Sequence, residues 1–447
     1  MTKTAPKYFI RTFGCQMNLA DSDRFARTFL KCGCEKADSP ETSDIVLINT
    51  CVVRAKAEDK AISYLGEIES LRKKNPNLRV ILAGCLAPLA DQRELKRRFP
   101  SILFSINPDR IDEFESMLRE HVDGLTPDAM VVECCEIPEM TGFSFHAFVN
   151  VMRGCEQHCT FCIVPRARGK NASRPVDEIM DEIQWRISEG AKAITLLGQS
   201  ILDYGKDWQS EKSIRSVKGD LLFRELLDKI SSAFPDTWIR FLTSHPKDFS
   251  FETVDLIASR PNISRFIHLP VQAGDDEILK RMNRGHDRQF YLNLIEYINR
   301  KIPDVRLSTD IIVGFPGEDL PAFENSMDLL KKTRFFKVFT YQYSTRPNTP
   351  AEKFKDDLPF EEKRKRLNQL IDLQNQITIE RHRELVGEIL EVMVEGYSKG
   401  IDGYLLGRSS GEDMVIFRDS GHLKPGDIVK VRILEGRQRT LVGELID

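Results

Sequence analysis

The sequence predicts an α/β multidomain protein in three parts: a doubly wound parallel sheet, a partial TIM-like (β/α)6 barrel, and a small antiparallel β-barrel. Three observations carry that prediction. Short β-branched runs alternate with helical patterns over the first 126 residues. The same alternation resumes near Phe143 with six strand–helix units, short of the eight that close a TIM barrel. From about Leu385 the pattern changes to apolar–polar alternation broken by Gly and Asp turns. A chain of 447 residues exceeds a single ordinary core, and the expected domains are 1–126, 141–375 and 383–447.

In the first part, "YFIRTF" (Tyr8–Phe13), "DIVLIN" (Asp44–Asn49) and "RVILAG" (Arg79–Gly84) read as strands, and Asp21–Cys32 and Arg54–Lys74 as helices. Thr126–Thr141 reads as a polar linker. Strand candidates follow at His146–Met152, Ala193–Leu197, Trp238–Thr243, Arg265–Val271, Arg306–Phe315 and Phe336–Tyr343, with helices such as Val176–Glu189 and Arg288–Lys301 between them. Asp203–Gly219 reads as a polar surface loop, and Phe360–Arg383, with its "EEKRKR" run, as a helix with a solvated charged face. The tail "GEILEVMVEG", "GYLLGRS", "MVIFRD", "DIVKVRILEG", "RTLVGELI" reads as about five strands of an OB-sized barrel.

Composition narrows the function class. Hydrophobic residues make up 41% and charged ones 30%, as in a soluble globular protein, and no apolar run is long enough to span a bilayer. The start "MTKTAPKYFIRTFGC" has no apolar core of a signal peptide, so the expected location is the cytoplasm. Ten cysteines in such a chain point to metal or buried thiols rather than a disulfide framework. The net charge of −3 leaves any nucleic-acid contact to local patches.

Cys155, Cys159 and Cys162, in "MRGCEQHCTFCIVP", follow the first strand of the partial barrel and so sit at its carboxyl end. Thiolates hold iron–sulfur clusters, and three of them leave one iron of a four-iron cube open to a small molecule. Zinc is the competing reading, but it wants a second C-x2-C or a spaced His, and His158 adjoins Cys159 too closely. Phe161 would shield the site from water. Gly198 and Gln199 in "LLGQ", Gln272 in "HLPVQAG" and Asp310 in "STDIIVGFPGE" close later strands; they read either as a pocket or, for the Gly and Pro residues, as turns. Cys15, Cys51 and Cys85 end "RTFGC", "LINTC" and "LAGC", and the carboxyl ends of parallel strands share one edge. Two readings stand for them: a second three-thiolate site, or buried small residues. Cys32, Cys34, Cys134 and Cys135 read as structural or incidental.

The C-x3-C-x-aromatic-C spacing resembles the signature of radical S-adenosylmethionine (SAM) enzymes. "TFGCQMNLADSD", "NTCVVRAKAEDK", "GCLAP", "RGCEQHCTFCIVPRARGKNASRP", "HLPVQAGDDEILKRMNRGH" and "STDIIVGFPGE" together resemble the methylthiotransferases of that superfamily over essentially the whole chain. The resemblance implies a radical-SAM barrel, a C-terminal RNA-binding TRAM domain, and two [4Fe-4S] clusters. One is held by Cys155, Cys159 and Cys162 and chelates SAM; the auxiliary one is held by Cys15, Cys51 and Cys85. "FGCQMN" looks most like the MiaB-type branch, which adds a methylthio group to C2 of N6-isopentenyladenosine at position 37 of tRNA. RimO-type enzymes, which act on a ribosomal protein, more often read "LGCPKN", and the MtaB-type, which act on threonylcarbamoyladenosine, "LGCKVN". "GQSILDYG" (Gly198–Gly205) departs from the usual "GQNVNSYG". The implied chemistry uses two SAM molecules, one methylating a sulfur on the auxiliary cluster and one giving the radical that removes the C2 hydrogen. It requires both strand edges to face one base, an electron donor and a sulfur source. The expected partner is a tRNA anticodon stem-loop carrying isopentenyladenosine, met by a monomer. Arg166, Arg168, Lys170 and Arg174 read as phosphate contacts or a solvated loop. The tail carries nine Lys/Arg against twelve Asp/Glu, and Arg408, Arg418, Arg437 and Arg439 are its candidates for an RNA face. The rivals outside this chemistry are a non-catalytic iron–sulfur RNA-binding protein and a zinc-binding RNA chaperone.

Overall fold

The computed structural model describes residues 5–52, 55–126, 145–210 and 220–446. The expected linker at Thr126–Thr141, with Cys134 and Cys135, and the end of the expected loop to Gly219 lie almost wholly outside them. The chain divides into two compact units, one built from Met1–Gly142, Arg153–Glu156 and Cys162–Ala172, the other from Phe143–Met152, Gln157–Phe161 and Ser173–Asp447.

The first unit is a five-stranded sheet of β1 (Lys7–Phe13), β2 (Glu35–Lys36), β3 (Ile45–Thr50), β4 (Arg79–Gly84) and β5 (Ile102–Ile106), in the order β2-β1-β3-β4-β5. Every pairing is parallel. A parallel sheet is buried on both faces, and β3 shows how alternation sorts the two. Ile45 and Leu47 pack with Phe25, Phe29 and Phe114 on one side. Val46 and Ile48 pack with Leu65, Ile68 and Leu95 on the other. Tyr8 stacks on Phe29 at 4.5 Å between ring centroids, sealing the first face. This strand order places the topological switch point between β1 and β3, outside their carboxyl ends. The helix after β1 begins at Gln16 rather than at the expected Asp21, and Cys15 itself is its N-cap. The reason is local: Asn18 Oδ1 accepts from both the backbone N–H (3.3 Å) and the thiol (3.4 Å) of Cys15. The strand Ile102–Ile106 and the two-residue edge strand were not anticipated from the sequence.

The second unit contains six parallel strands in two sets, His146–Asn150, Ala193–Leu197 and Trp238–Phe241, then Phe266–His268, Arg306–Val313 and Lys337–Gln342. Parallel bridges at Ile239–Ile263 and Gln272–Ile311 extend the two sets. One continuous core, from Val149 through Leu196, Ile239, Ile267 and Ile311 to Leu329, runs under all six. Helices start where the sequence supplies caps: Asp287 accepts from Phe290 N, Ser250 from Thr253 N and Asp319 from Ala322 N. The last five strands, Ile389–Tyr397, Tyr404–Ser409, Met414–Arg418, Ile428–Gly436 and Leu441–Ile446, form a closed barrel. All its pairings are antiparallel except Met414–Arg418 with Leu441–Ile446.

The charged helix Phe360–Glu384 departs from the expected solvated face. Lys363 and Arg366, inside "EEKRKR", are buried. Arg366 Nη1 donates to the buried Glu318 at 2.9 Å, and Glu318 Oε1 in turn accepts from Gly314 N at 2.9 Å. A carboxylate that caps a buried loop must be neutralised, and the helix supplies the cation. The C-terminal barrel is fixed to the strands the same way: Arg306 pairs with Asp413 at 3.1 Å and Arg240 with Glu412 at 2.6 Å. No helix among the described residues is long and apolar enough to cross a membrane.

Candidate metal centres

The switch-point edge of the first sheet carries the three strand-end cysteines, Cys15 after β1, Cys51 after β3 and Cys85 after β4. Register pairs Phe13 with Thr50 and Thr50 with Gly84, so Cys51 and Cys85 leave adjacent strands side by side, one residue beyond Thr50 and Gly84. Cys85 N donates to Thr50 O at 2.8 Å. A buried amide lattice holds the strand ends: Asn18 Nδ2 donates to Asn49 Oδ1 and Thr50 O, both at 3.0 Å, and Asn49 Nδ2 donates to Asn18 O at 2.8 Å. Gly84, at φ +89°, has Thr50 O only 2.3 Å from where a Cβ would be, so no other residue fits between these strands. Cys51 and Cys85 are buried and Cys15 is exposed, as a site with an open side requires.

A cation completes this edge. Arg168, at the end of the short helix Val164–Arg168, is buried. Its Nε donates to Cys85 Sγ at 3.2 Å and its Nη1 pairs with Asp21 at 2.9 Å. Hydrogen bonding from the Cys51 thiol and the Arg168 charge pull the Cys85 thiol down to about 6 against the effect of burial. A thiol lowered in this way beside a buried cation has the character of a metal ligand or nucleophile rather than of an inert core residue. By contrast Cys34 is pushed up to about 12 by burial and packs in the core with Cys32, which suits a structural role. Arg168 is therefore withdrawn from the basic run read as phosphate contacts. Arg174 is half withdrawn too, donating to Glu182 and to Asn150 O at 2.7 Å each, while Arg166 and Lys170 are exposed.

The loop of the second trio is shared between the units. Within the first, Cys155 N donates to Gly169 O at 3.2 Å and Arg153 pairs with Asp112 at 3.1 Å. Gly154, at φ +79°, has Lys170 O 1.8 Å from a would-be Cβ. Within the second, Cys159 Sγ accepts from the buried Arg284 Nη1 at 3.2 Å, and Arg284 Nη2 is fixed by Pro270 O at 2.6 Å. Gln157 Nε2 donates to Asp203 (2.7 Å) and Asp248 (2.9 Å), whose carboxylates also take Lys206. Thr160 N and Oγ1 donate to Met282 O and Arg281 O, and Asn283 Nδ2 donates to His158 O. "ILKRMNRGH" thus clamps the middle of the cysteine loop, a role the sequence reading missed although the stretch belongs to one of the motifs that carry the resemblance. Phe161 meets the Phe315 ring edge-on.

Of the four residues expected to line the small-molecule pocket, Gln272 and Asp310 are joined, Gln272 N donating to Asp310 O at 2.9 Å, with Asp310 facing His268 at 3.6 Å. Gln199 Oε1 is buried without a protein partner among the described residues, as are Ser244 Oγ, His245 Nε2 and His286 Nε2. Gln199, Ser244 and His245 follow strand ends, and buried polar atoms there fit a polar ligand. Gly198 has a packing reason: a Cβ there would stand 2.7 Å from Met152 Cγ. Gly274 likewise lies against the backbone of Ser326. Among the described residues no three His, Cys, Asp or Glu side chains are grouped to hold a single metal ion.

On the C-terminal barrel, Arg408 is half-buried and engaged by acidic partners. It pairs with Glu395 at 2.7 Å and Glu412 at 3.4 Å beside Arg240. Arg418 is the register partner of Tyr404, and Arg437, paired with Glu435, feels the same tyrosine.

Family models match three stretches: the radical SAM superfamily over 149–330, the uncharacterized protein family UPF0004 over 7–106, and the TRAM domain over 383–446. The tRNA-2-methylthio-N(6)-dimethylallyladenosine synthase of Carboxydothermus hydrogenoformans is 39% identical, covering 98% of this chain and 99% of the relative. That of Chlorobium luteolum is 40% identical, covering 98% and 96%. Among solved structures, the radical S-adenosylmethionine methyltransferase TsrM from Kitasatospora setae overlays with a TM-score of 0.54 at 14% identity, covering 88% of this chain and 79% of that one. The cobalamin-dependent radical enzyme OxsB overlays at 0.51 and 11% identity, covering 83% and 56%. Both are likenesses of fold.

Proposed function

The chain belongs to the radical-SAM methylthiotransferases named tRNA-2-methylthio-N(6)-dimethylallyladenosine synthases, and from that membership we propose that it adds a methylthio group to C2 of N6-isopentenyladenosine at position 37 of tRNA. The observation that carries this reading is collinearity: 39% identity runs through 98% of the chain, so all three parts come together as in the relatives. The radical SAM family implies a [4Fe-4S] cluster and SAM. We assign that cluster to Cys155, Cys159 and Cys162, a second, auxiliary cluster to Cys15, Cys51 and Cys85, and the SAM pocket to Gly198, Gln199, Gln272 and Asp310. The domains are read as 1–126, 141–375 and 383–447, in a cytoplasmic monomer.

When bound, a cluster with SAM supplies a carbon radical able to break an unactivated aromatic C–H bond, chemistry no side chain offers. The chain's residues do the rest. Arg284 orients Cys159 and offsets thiolate charge. Gln157, tied to Asp203 and Asp248, fixes the loop between the first two cysteines. Phe161 against Phe315 keeps water from the site. Gln199 Oε1 accepts from a hydroxyl or ammonium group of the bound molecule. The target base leaves its stack to be reached. Arg166 and Lys170 are the exposed cations after the loop, and Tyr404 with Arg418 and Arg437 offers the TRAM domain an aromatic beside cations, the pair that single-stranded RNA favours. An electron donor and a sulfur source are required partners.

The test is nucleoside analysis of isopentenylated tRNA after incubation with the reconstituted enzyme, SAM, sulfide and a reductant. Methylthio-adenosine is the expected product. SAM cleavage without it removes the tRNA assignment, and no SAM cleavage removes the enzyme class.

A further inference from the structure

We propose that Arg168 is a positioning residue of the auxiliary site, one that raises the reduction potential of the cluster held there; this rests on the two-cluster reading above. The sequence offers Arg168 only as one cation in a basic run. The structure takes it out of solvent, with 4% of its surface exposed. Its three nitrogens divide the work. Nε donates to Cys85 Sγ at 3.2 Å, Nη1 pairs with Asp21 at 2.9 Å, and Nη2 is buried with no acceptor among the described residues. Next to the Cys85 thiol, a buried N–H donor with no acceptor is costly, and sulfur of a metal-bound group is the acceptor the site would bring.

Its placement is firmly built. Gly169, which ends its helix, has φ +74°, and its carbonyl accepts from Cys155 N. The segment Cys162–Ala172, which carries Cys162 of the other trio, thus delivers Arg168 to Cys85. Hydrogen bonds to ligating sulfurs and nearby charge are levers on cluster potential. The lever matters to this reaction. A cluster held there would have to take up one electron as it gave a sulfur to a carbon radical, the metal–sulfur bond breaking as the carbon–sulfur bond formed. A cation at Cys85 favours accepting that electron.

The test uses the full-length chain with Cys155, Cys159 and Cys162 replaced by Ala, so that only the auxiliary cluster remains, followed by EPR through a redox titration. Arg168→Gln is expected to lower the reduced-to-oxidised ratio at fixed potential about tenfold, a shift of about 59 mV for one electron. Arg168→Lys should fall between it and the parent. Asp21→Asn, which frees the cation from its counter-charge, should shift the ratio the other way. A purely structural ion pair would not give opposite signs. Iron missing from the triple-cysteine parent overturns the two-cluster reading itself. Iron retained with a ratio changed less than about twofold overturns this proposal. If Arg168→Gln holds no iron, the Lys and Asp21→Asn variants decide by the same criterion.

Discussion

Asp413→Ala tests how the C-terminal barrel is held. Asp413 and Arg306 are 5% and 8% exposed and meet at 3.1 Å, with the guanidinium 4.5 Å from the Phe336 ring centroid. Asp413 also accepts from Ser409 Oγ at 2.9 Å, and Arg306 Nη1 donates to Asp304 O at 2.8 Å. Removing the carboxylate leaves a buried cation with one carbonyl and a ring, and breaking such a pair costs about 3–5 kcal/mol. If the loss falls on docking of the barrel, the undocked fraction rises by about two to nearly four decades. Exchange mass spectrometry on the full chain reads this directly. Asp413→Asn keeps the Ser409 contact and loses the charge, and should cost less, roughly 1.5–3 kcal/mol. Arg306→Met with Asp413→Leu should recover most of the loss, since apolar replacement of both partners is often neutral. A cost below about 1 kcal/mol for Asp413→Ala would mean that the pair behaves as an exposed one and that the reasoning is wrong.

Gly154→Ala places a Cβ against Lys170 O in a left-handed backbone, so the loop must shift; iron analysis should show loss of the SAM-site cluster, and SAM cleavage should vanish with it. Acidification should destabilise through His146, which burial beside Arg240 and Arg408, only partly offset by Glu412, pushes down to about 3. The unfolded chain then binds more protons between about pH 6.5 and 3, so stability is full above that window and falls by up to roughly 1.4 kcal/mol per pH unit within it. Denaturant titrations at pH 7 and 5 check the slope, and His146→Asn should flatten it. In the metal-free protein, iodoacetamide should label the exposed Cys15 and spare Cys34, whose thiol burial holds near 12; equal labelling of both would contradict the assigned core.

Much of this was legible in the residues. The spacing of Cys155, Cys159 and Cys162 is local, and "RTFGC", "LINTC" and "LAGC" each end a strand, so parallel pairing alone brings Cys15, Cys51 and Cys85 to one edge. The five terminal strands were readable because period-two alternation needs no distant information. Charged residues were misread where burial decides their role. "EEKRKR" looks solvated until Glu318, 48 residues before Arg366, needs a cation.

By itself, then, the sequence determined which thiols are available and on which strand ends, because chain geometry carries that over a few residues. Only the tertiary structure decided what surrounds the sulfurs. Arg168 reaches Cys85 across 83 residues and Arg284 reaches Cys159 across 125. A guanidinium stays buried only where folding supplies it an anion, and no local pattern encodes that meeting.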